Sequence, residues 1–247
     1  MKLFCLPSAG AQASMYHDMK KALEGEIQII SIEYPGHGFR IGEPLINTME
    51  QLCNECIKMI ELALDYQNEP FMVLGHSMGA MLGYQMEEKL RQKGYNIEKL
   101  ILCACQAPNF WIDYIADIEN MSDDEFLEYV SSLGGIPEEL VDNAFFKDIY
   151  THIIRNDFMM IKKHIPNISA VSTPIVFING TRDKLVGERW RFWKCFVKSE
   201  QSFYELEENH FLTKNTNAIC DILRKELVVS KEIYKAPCEF SKSSELI

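Results

Sequence analysis

The sequence predicts an α/β protein with a mostly parallel β-sheet and helices on both of its faces. Short apolar runs alternate with segments in which apolar residues recur at helical spacing, as expected for a parallel sheet covered on both sides. One of these runs passes through a Gly-x-Ser-x-Gly pattern directly into a helical pattern. The length of 247 residues suffices for one large domain of this class with a substantial core.

The strands are predicted from apolar runs along the whole chain. They cover Lys2–Leu6, Gln28–Glu33, Phe71–Leu74, Lys99–Ala104, Pro174–Asn179 and Ser202–Leu206. Helices are predicted in the connections over Ser14–Glu24, Met78–Lys93, Gly187–Val197 and Thr216–Val229. Between the second and third strands, Leu52, Cys56 and Ile60 recur at helical spacing. Asn47 and Glu50 have the spacing expected at the beginning of that helix.

Ser77 is the predicted nucleophile. It lies in Gly75-His-Ser77-Met-Gly79 between a predicted strand and a predicted helix, which is the context of a nucleophile elbow. Because Gly75 and Gly79 lack a Cβ atom, the backbone can turn tightly there and expose the serine hydroxyl. The N–H groups at the start of the following helix point at the site and can stabilise developing negative charge. The alternative is a structural strand-to-helix turn that merely contains a serine.

His210 is the predicted base that activates Ser77, because a serine hydroxyl is a weak nucleophile without one. It lies in a loop after the last predicted strand and before the last helix. In folds with this elbow the chain order is serine, acid, histidine. His152 and His164 also follow Ser77, but both lie in helical patterns, where an exposed histidine is the ordinary interpretation.

Asp183 is the predicted acid that orients the base. It follows the strand Pro174–Asn179 and should lie at the carboxyl edge of the sheet, where Ser77 is exposed. Asp157 and Asp221 are competing candidates, but helical patterns surround both. The other role open to Asp183 is that of a turn aspartate bonded to its own backbone.

An oxyanion hole needs two backbone donors. The N–H of Met78, the residue after the nucleophile, is the first predicted donor. Ala9, in the turn of small residues after the first strand, is the second. The residues alone therefore indicate a serine hydrolase acting on an acyl ester or thioester, and they leave the acyl group open.

Residues 107–172 interrupt the alternation of strands and helices. Helices are predicted over Asn109–Ile118, Ser122–Leu133 and Pro137–His164, without a strand between them. Such an insertion commonly covers the active site, and the alternative is an ordinary surface excursion. Some of its aromatic side chains could line an acyl pocket: Phe110, Trp111, Phe126, Phe145, Phe146 and Phe158. We predict a core of residues 1–106 and 173–233, a helical lid of residues 107–172 and a flexible tail of residues 234–247.

The overall charge argues against nucleic acid or an anionic membrane as a partner. The net charge is −11, from 36 acidic and 25 basic side chains, and either partner needs a basic face. The apolar run at the N-terminus is too short for a signal peptide, and none reaches the roughly 20 residues of a membrane span. These features predict a cytoplasmic protein. The 8 cysteines are expected to be free thiols, with Cys53 and Cys56 packed in the core rather than forming a metal or redox site.

Several motifs occur in a characteristic order along the chain. They are Leu6-Pro-Ser-Ala-Gly-Ala-Gln-Ala-Ser14-Met-Tyr16, Tyr34-Pro-Gly-His-Gly38-Phe-Arg40, Gly75-His-Ser-Met-Gly-Ala80, Gly134-Gly-Ile-Pro137, Arg155-Asn-Asp157-Phe158, and Gly180-Thr-Arg-Asp183 with Asn209-His210-Phe211. Together these motifs resemble the type II thioesterases that accompany nonribosomal peptide and polyketide synthases, which belong to the α/β-hydrolase superfamily. The resemblance spans about Leu3 to Leu227, which is most of the chain.

The resemblance implies an editing enzyme that removes stalled or wrong acyl groups from the phosphopantetheine arm of an acyl or peptidyl carrier protein. It implies no cofactor and no metal beyond that arm of the partner. It also implies Ser77 as the nucleophile, Asp183 as the acid and His210 as the base, with Met78 and Ala9 as the oxyanion donors. The inserted helices match the mobile lid of the family, and we expect a monomer.

The chain departs from the family pattern without losing a predicted catalytic group. Ser8 stands where an aromatic residue or histidine is frequent, and Ala11 where a second glycine is frequent. Gln106 stands in place of a common arginine, and Asn209 in place of the glycine that usually precedes the histidine. These departures leave the acyl specificity open.

Three other functions are compatible with parts of the pattern. A free-standing carboxylesterase or lipase acting on small esters would use the same three residues. A transacylase that transfers the acyl group to an alcohol or amine would share every motif. A non-catalytic binding module with this fold is the third alternative, and the intact order of serine, aspartate and histidine argues against it.

Overall fold

The computed structural model describes residues 1–113 and 115–233. In this part of the chain a 6-stranded sheet is formed in which every neighbouring pair of strands is parallel. The strands are β1 (Lys2–Leu6), β2 (Gln28–Ser31), β3 (Phe71–His76), β4 (Ile97–Cys103), β5 (Ile175–Gly180) and β6 (Gln201–Leu206), in the spatial order β2-β1-β3-β4-β5-β6. The predicted fold class and the predicted strands are confirmed. The tail of residues 234–247 lies outside the described residues.

The helices cover both faces of this sheet. They are α1 (His17–Ala22), α2 (Met49–Ala63), α3 (Met78–Gln92), α4 (Asp123–Ser132), α5 (Glu138–Val141), α6 (Ala144–Lys163) and α7 (Thr216–Ile233). Because side chains alternate along a strand, Phe4 and Leu6 of β1 pack with α2 and α3, whereas Leu3 and Cys5 pack with α1 and α7. Two separate hydrophobic layers therefore enclose the sheet.

The beginning of α2 differs from the prediction by one residue. Thr48, not Asn47, caps the helix, and its hydroxyl accepts a hydrogen bond from the Gln51 N–H at 3.3 Å. Cys53 and Cys56 of this helix are buried, as predicted, and burial raises the pKa of the Cys53 thiol to about 12.

The α-helix predicted over Gly187–Val197 is wrong. Gly187–Cys195 forms 3₁₀ turns instead. Trp190 and Trp193 are three residues apart, and side chains at this spacing eclipse in a 3₁₀-helix, so both indoles are buried on one side. The indole N–H of Trp193 donates to the Cys105 carbonyl at 3.0 Å, which fixes this geometry.

The helical insertion between β4 and β5 consists of α4, α5 and α6. Two of its predicted helices are corrected: Pro108–Asp113 is a short 3₁₀-helix, and the single helix predicted over Pro137–His164 is divided into α5 and α6. The division occurs because the Asn143 side chain accepts a hydrogen bond from the Phe146 N–H at 2.9 Å and begins α6 anew. The insertion has its own hydrophobic cluster, formed by Ile118, Phe126, Leu127, Val130, Ile136, Ile154 and Phe158.

Across residues 1–113 and 115–233, no helix combines the length and the apolar character that crossing a membrane requires.

Candidate active site

Ser77 lies on a strained turn between β3 and α3. Its φ of 53° and ψ of −113° fall outside the regions that L-residues ordinarily occupy. A Cβ atom at Gly79 would lie 2.0 Å from the Leu6 carbonyl oxygen, and one at Gly75 would lie 2.1 Å from the Gly79 carbonyl oxygen. Only glycine fits either position, so β1, β3 and α3 pack closely around this turn. The geometry is that of a nucleophile elbow.

The structure brings Ser77, His210 and Asp183 together at the carboxyl edge of the sheet. His210 Nε2 lies 2.9 Å from Ser77 Oγ, and His210 Nδ1 lies 2.8 Å from Asp183 Oδ2. With the proton on Nδ1 donated to Asp183, Nε2 is free to accept the serine proton. All three side chains are buried, and Ser77 retains 7% exposure.

The environment of Asp183 keeps it ionised. Burial by itself raises the pKa of this carboxyl, but the hydrogen bond and charge of His210 and the N–H groups of Val186 and Leu185 outweigh it, so the pKa lies below its ordinary value. Leu185 and Val186 donate to Asp183 Oδ1 at 2.9 and 3.1 Å. One carboxylate oxygen is thus held by its own turn, and the other faces His210. The turn-aspartate role and the proposed acid role therefore coexist in one residue.

His76 supports the loop that carries His210. Its Nε2 lies 2.8 Å from the His210 carbonyl oxygen, so this nitrogen donates a hydrogen bond. Burial, and next the nearby charge of His210, lower the pKa of His76 to about 3, so its ring is neutral. The other ring nitrogen is buried without a hydrogen-bond partner among the residues described. His76, next to Ser77 in the chain, therefore holds the backbone at His210.

Of the two predicted oxyanion donors, Met78 follows Ser77 in the chain and Ala9 lines the same cavity as Ser77. Met78 is the first residue of α3, where backbone N–H groups have no acceptor within the helix. Ala9 lies in the turn after β1 and lines the same cavity as Ser77 and His210. Within the described residues, no protein group accepts a hydrogen bond from the N–H of Ala9 or of Met78.

A cavity of about 780 Å³ contains Ser77 and His210 in its wall. Apolar side chains of the insertion also line it, among them Val130, Leu133, Ile136, Leu140, Ile154 and Ile161. Of the aromatic residues predicted for an acyl pocket, Phe146 and Phe158 line this cavity. Trp111 and Phe126 are instead fully buried in packing, and Phe145 is 73% exposed. Helical periodicity cannot distinguish these outcomes, because each aromatic residue lies on a helix with an apolar face.

Asp157 is not the acid, although it was a candidate. It lies in α6, and its Oδ2 accepts hydrogen bonds from the Gly10 N–H at 2.8 Å and from His37 Nε2 at 2.9 Å. The third candidate, Asp221, is exposed and pairs with Arg224 at 3.1 Å. The sequence carried a signal for Asp157: it lies within the apolar stripe of α6, three residues after Ile154, and a polar residue in such a stripe indicates a buried partner.

Buried polar groups that sequence reasoning assigned no role also hold the turn after β1. The hydroxyls of Tyr16 and Tyr34 donate to the carbonyls of Leu6 and Pro7 at 2.7 and 2.9 Å. The buried carboxylate of Glu33 accepts from the Ala13 N–H at 2.9 Å. Both ends of the turn are therefore bonded to side chains from other parts of the chain.

Comparison with known proteins decides the family. Residues 1–227 match the family of thioesterase domains. The chain belongs to the thioesterase domain family. This thioesterase is 28% identical over 214 residues to the gramicidin S biosynthesis protein GrsT of Aneurinibacillus migulanus, which is 85% of this chain and 82% of GrsT.

Solved structures of thioesterases have the same fold. The type II thioesterase BorB from the borrelidin biosynthetic cluster superposes with a TM-score of 0.81 at 24% identity, covering 92% of both chains. ClbQ from the colibactin NRPS/PKS pathway superposes with a TM-score of 0.83 at 23% identity, covering 94% of this chain and 98% of ClbQ. The resemblance indicated by the motifs is thereby confirmed, and the chain is a thioester hydrolase with the α/β-hydrolase fold.

Proposed function

We propose that this thioesterase hydrolyses acyl groups from the phosphopantetheine arm of acyl or peptidyl carrier protein domains, as an editing or release enzyme of nonribosomal peptide or polyketide synthesis. The observation that carries the proposal is the hydrogen-bonded chain Ser77–His210–Asp183 in the wall of a cavity of about 780 Å³. The names of GrsT and ClbQ, which place those proteins in gramicidin S biosynthesis and in an NRPS/PKS pathway, support the carrier protein as the partner.

The first half of the reaction forms an acyl-enzyme. Ser77 Oγ attacks the thioester carbonyl carbon while its proton passes to His210 Nε2. The carbonyl oxygen becomes an oxyanion, which the N–H groups of Met78 and Ala9 stabilise. The carbon–sulfur bond then breaks, the pantetheine sulfur takes the proton from His210, and the thiol leaves.

The second half releases the free acid. A water molecule gives one proton to His210 Nε2 as its oxygen attacks the acyl carbon, and the oxyanion forms again in the same position. The bond between the acyl carbon and Ser77 Oγ breaks, and Ser77 takes the proton back from His210. Throughout, ionised Asp183 holds the imidazole in the productive tautomer and stabilises the imidazolium that forms twice in each cycle.

The carrier protein would dock through local contacts. Carrier proteins are usually acidic, and this chain has a net charge of −11, so long-range attraction between the two is not expected. The apolar cavity wall favours uncharged acyl groups, because burial of a charged group among aliphatic side chains costs free energy. The proposed substrates are therefore apolar or weakly polar acyl thioesters.

The test is mass spectrometry of a peptidyl carrier domain that bears acetyl on its phosphopantetheine arm. The domain is incubated with wild type, with Ser77→Ala and with Ser132→Ala, a control serine on the exposed side of the insertion. We expect wild type and the control to remove the acetyl mass, and Ser77→Ala to be slower by about 10⁴-fold or more.

Two outcomes would contradict parts of the proposal. Wild type could leave the carrier-bound acetyl intact but cleave p-nitrophenyl acetate in a Ser77-dependent reaction. The catalytic roles of Ser77, His210 and Asp183 would then be supported, and the proposal of a carrier-bound substrate would be wrong. If a fluorophosphonate fails to label Ser77 and no ester is cleaved, the nucleophile assignment is wrong as well.

A further inference from the structure

A buried carboxylate of the helical insertion binds the turn that carries Ala9. Asp157 of α6 is 1% exposed, and one of its oxygens, Oδ2, accepts a hydrogen bond from the Gly10 N–H at 2.8 Å. The two residues are 147 positions apart in the sequence. Because a buried carboxylate is costly unless hydrogen bonds satisfy it, this contact is maintained strongly in the folded protein.

Close packing reinforces the same contact. Gly10 has a φ of +70°, and a Cβ atom there would lie 2.7 Å from Cγ1 of Ile154, which precedes Asp157 by about one turn of α6. The turn is therefore in van der Waals contact with α6 at Ile154 and hydrogen-bonded to it at Asp157. A displacement of α6 would move the turn, or would break both contacts.

His37 holds the Asp157 carboxylate in place from the other side. Its Nε2 donates to Asp157 Oδ2 at 2.9 Å, and its Nδ1 lies 3.1 Å from the Pro35 carbonyl oxygen. Both ring nitrogens thus face acceptors, as in an imidazolium. Burial lowers the pKa of His37, but the hydrogen bond and charge of Asp157, the Pro35 carbonyl and the charge of Glu33 outweigh it, and the pKa is raised. The raised pKa of His37 favours the charged form of its ring beside the Asp157 carboxyl group.

The peptide that carries the Ala9 N–H lies between two fixed points. On one side, the carbonyls of Leu6 and Pro7 are bound by the hydroxyls of Tyr16 and Tyr34. On the other side, the next peptide is bound through the Gly10 N–H by Asp157. Within the turn, the Ala11 N–H donates to the Ser8 carbonyl at 3.1 Å, so the peptide that carries the Ala9 N–H is oriented together with the turn that these contacts hold.

We infer that Asp157 is a positioning residue for the oxyanion hole: through the Gly10 N–H it sets the direction of the Ala9 N–H, and it does so only when α6 of the insertion is in place. This inference rests on the proposed function, because it takes Ala9 as an oxyanion donor. Complete removal of one such donor costs about 10²- to 10³-fold in kcat in a well-studied serine protease. Misdirection of the Ala9 donor should cost less, about 10- to 100-fold.

The experiment compares Asp157→Ala, Asp157→Asn and Asn156→Ala. Asn156 is the matched control, because its Nδ2 also joins α6 to the core, through the Ile46 carbonyl at 2.8 Å, without contacting the turn. Asn156 Nδ2 also lies 3.4 Å from Oδ1, the other carboxyl oxygen of Asp157, which is at the limit of a hydrogen bond. kcat and KM are measured on acetyl-pantetheine, and unfolding in urea verifies that each variant is folded.

The readout specific to the oxyanion hole is inhibition by an alkyl trifluoromethyl ketone. Its carbonyl carbon bonds to Ser77 Oγ, the serine proton passes to His210, and the resulting hemiketal oxyanion occupies the hole. We expect Asp157→Ala to lower kcat by about 10- to 100-fold with little change in KM, and to raise the inhibition constant of the ketone by a similar factor. Asn156→Ala should change kcat and the inhibition constant by less than about threefold. Asp157→Asn keeps a weaker acceptor, so both of its values should lie between those of wild type and those of Asp157→Ala.

The inference is overturned if folded Asp157→Ala retains the wild-type kcat and ketone affinity, or if Asn156→Ala loses both to the same extent. If Asp157→Ala does not fold, Asp157→Asn decides: a kcat and ketone affinity equal to wild type would overturn the inference, and a parallel loss of both would support it. Failure of the proposed function would be seen separately, as carrier-bound acetyl left intact by wild type, and the ketone would still report on the hole.

Discussion

Replacement of His76 by glutamine should remove a specific pH dependence of stability. His76 is fully buried, and its Nε2 donates to the His210 carbonyl at 2.8 Å. Glutamine has an N–H donor and does not titrate, so His76→Gln can keep a donor in place while it removes the ionisable ring. The difference in the free energy of unfolding between wild type and variant, followed as the pH changes, isolates the contribution of this one ring, because all other titrating groups are common to both proteins.

The magnitude follows from the shifted pKa. In the folded protein the pKa of His76 is about 3, against about 6.5 in the unfolded chain. Below 6.5 the unfolded state therefore binds a proton that the folded state does not, and the free energy of unfolding falls as the pH falls. Between about pH 7.5 and 5.5 the wild type should lose ~1.4 kcal/mol relative to the variant, since this range lies far above the folded-state pKa.

The assay is urea unfolding of wild type and His76→Gln at several pH values in this range, which stays above the isoelectric point of about 5.1. His17→Gln, which removes a histidine from an exposed position, serves as the control. The assignment of His76 as a buried neutral donor would be refuted if the difference in the free energy of unfolding between wild type and His76→Gln stays constant from pH 7.5 to 5.5.

Further predictions concern the elbow, the acid and the cavity. Gly79→Ala places a Cβ atom 2.0 Å from a backbone oxygen of Leu6 and should lower the free energy of unfolding by ~3 kcal/mol or more, whereas Gly83→Ala in the same helix meets a side-chain atom of Leu100 at 3.2 Å and should change it by less than ~1 kcal/mol. If urea unfolding shows that Gly79→Ala and Gly83→Ala lose the same free energy of unfolding, this account of the elbow is contradicted. Asp183→Asn should lower kcat on p-nitrophenyl acetate by about 10³-fold or more, since an amide no longer favours the productive tautomer of His210, and a loss under about tenfold would exclude Asp183 as the acid. Leu140→Trp narrows the cavity and should lower the ratio of kcat/KM for octanoyl-pantetheine over acetyl-pantetheine by about tenfold. The control Leu62→Trp, at a residue that is 87% exposed, should leave this ratio unchanged, and an equal change in both variants would show that Leu140 does not limit acyl length.

The parts of the molecule that depend on local sequence pattern were predictable. The strands were predicted from short runs between helical segments, and the observed strands lie in those runs. The sequence positions of Ser77, Asp183 and His210, each just after a strand, likewise placed them at one edge of a parallel sheet, where the structure finds them within hydrogen-bond distance. Parallel strands make this inference possible because all their carboxyl ends lie on the same side.

The contacts of Asp157 and His37 could not be predicted, for a physical reason. The bond between these side chains joins positions 120 residues apart, and a polar residue within an apolar helical stripe indicates burial without identifying the distant group that it contacts. The choice between a 3₁₀-helix and an α-helix at Gly187–Cys195 also depended on tertiary packing, because two indoles and a remote carbonyl select it.

The attachment of the insertion to adjacent strands makes it an exchangeable unit. β4 and β5 are parallel hydrogen-bonded neighbours, so the chain leaves the sheet at the carboxyl end of β4 and crosses back to the amino end of β5, where Ile175 lies opposite Leu100. The entropy cost of closing such a connection grows only slowly with its length, so a graft from another thioesterase could replace these helices without disturbing the sheet. A successful graft would nevertheless have to supply equivalents of Asp157 and Ile154 against Gly10. If Asp157 directs the Ala9 N–H as proposed, a chimera that lacks these contacts would bind substrate in its new acyl pocket but hydrolyse it slowly.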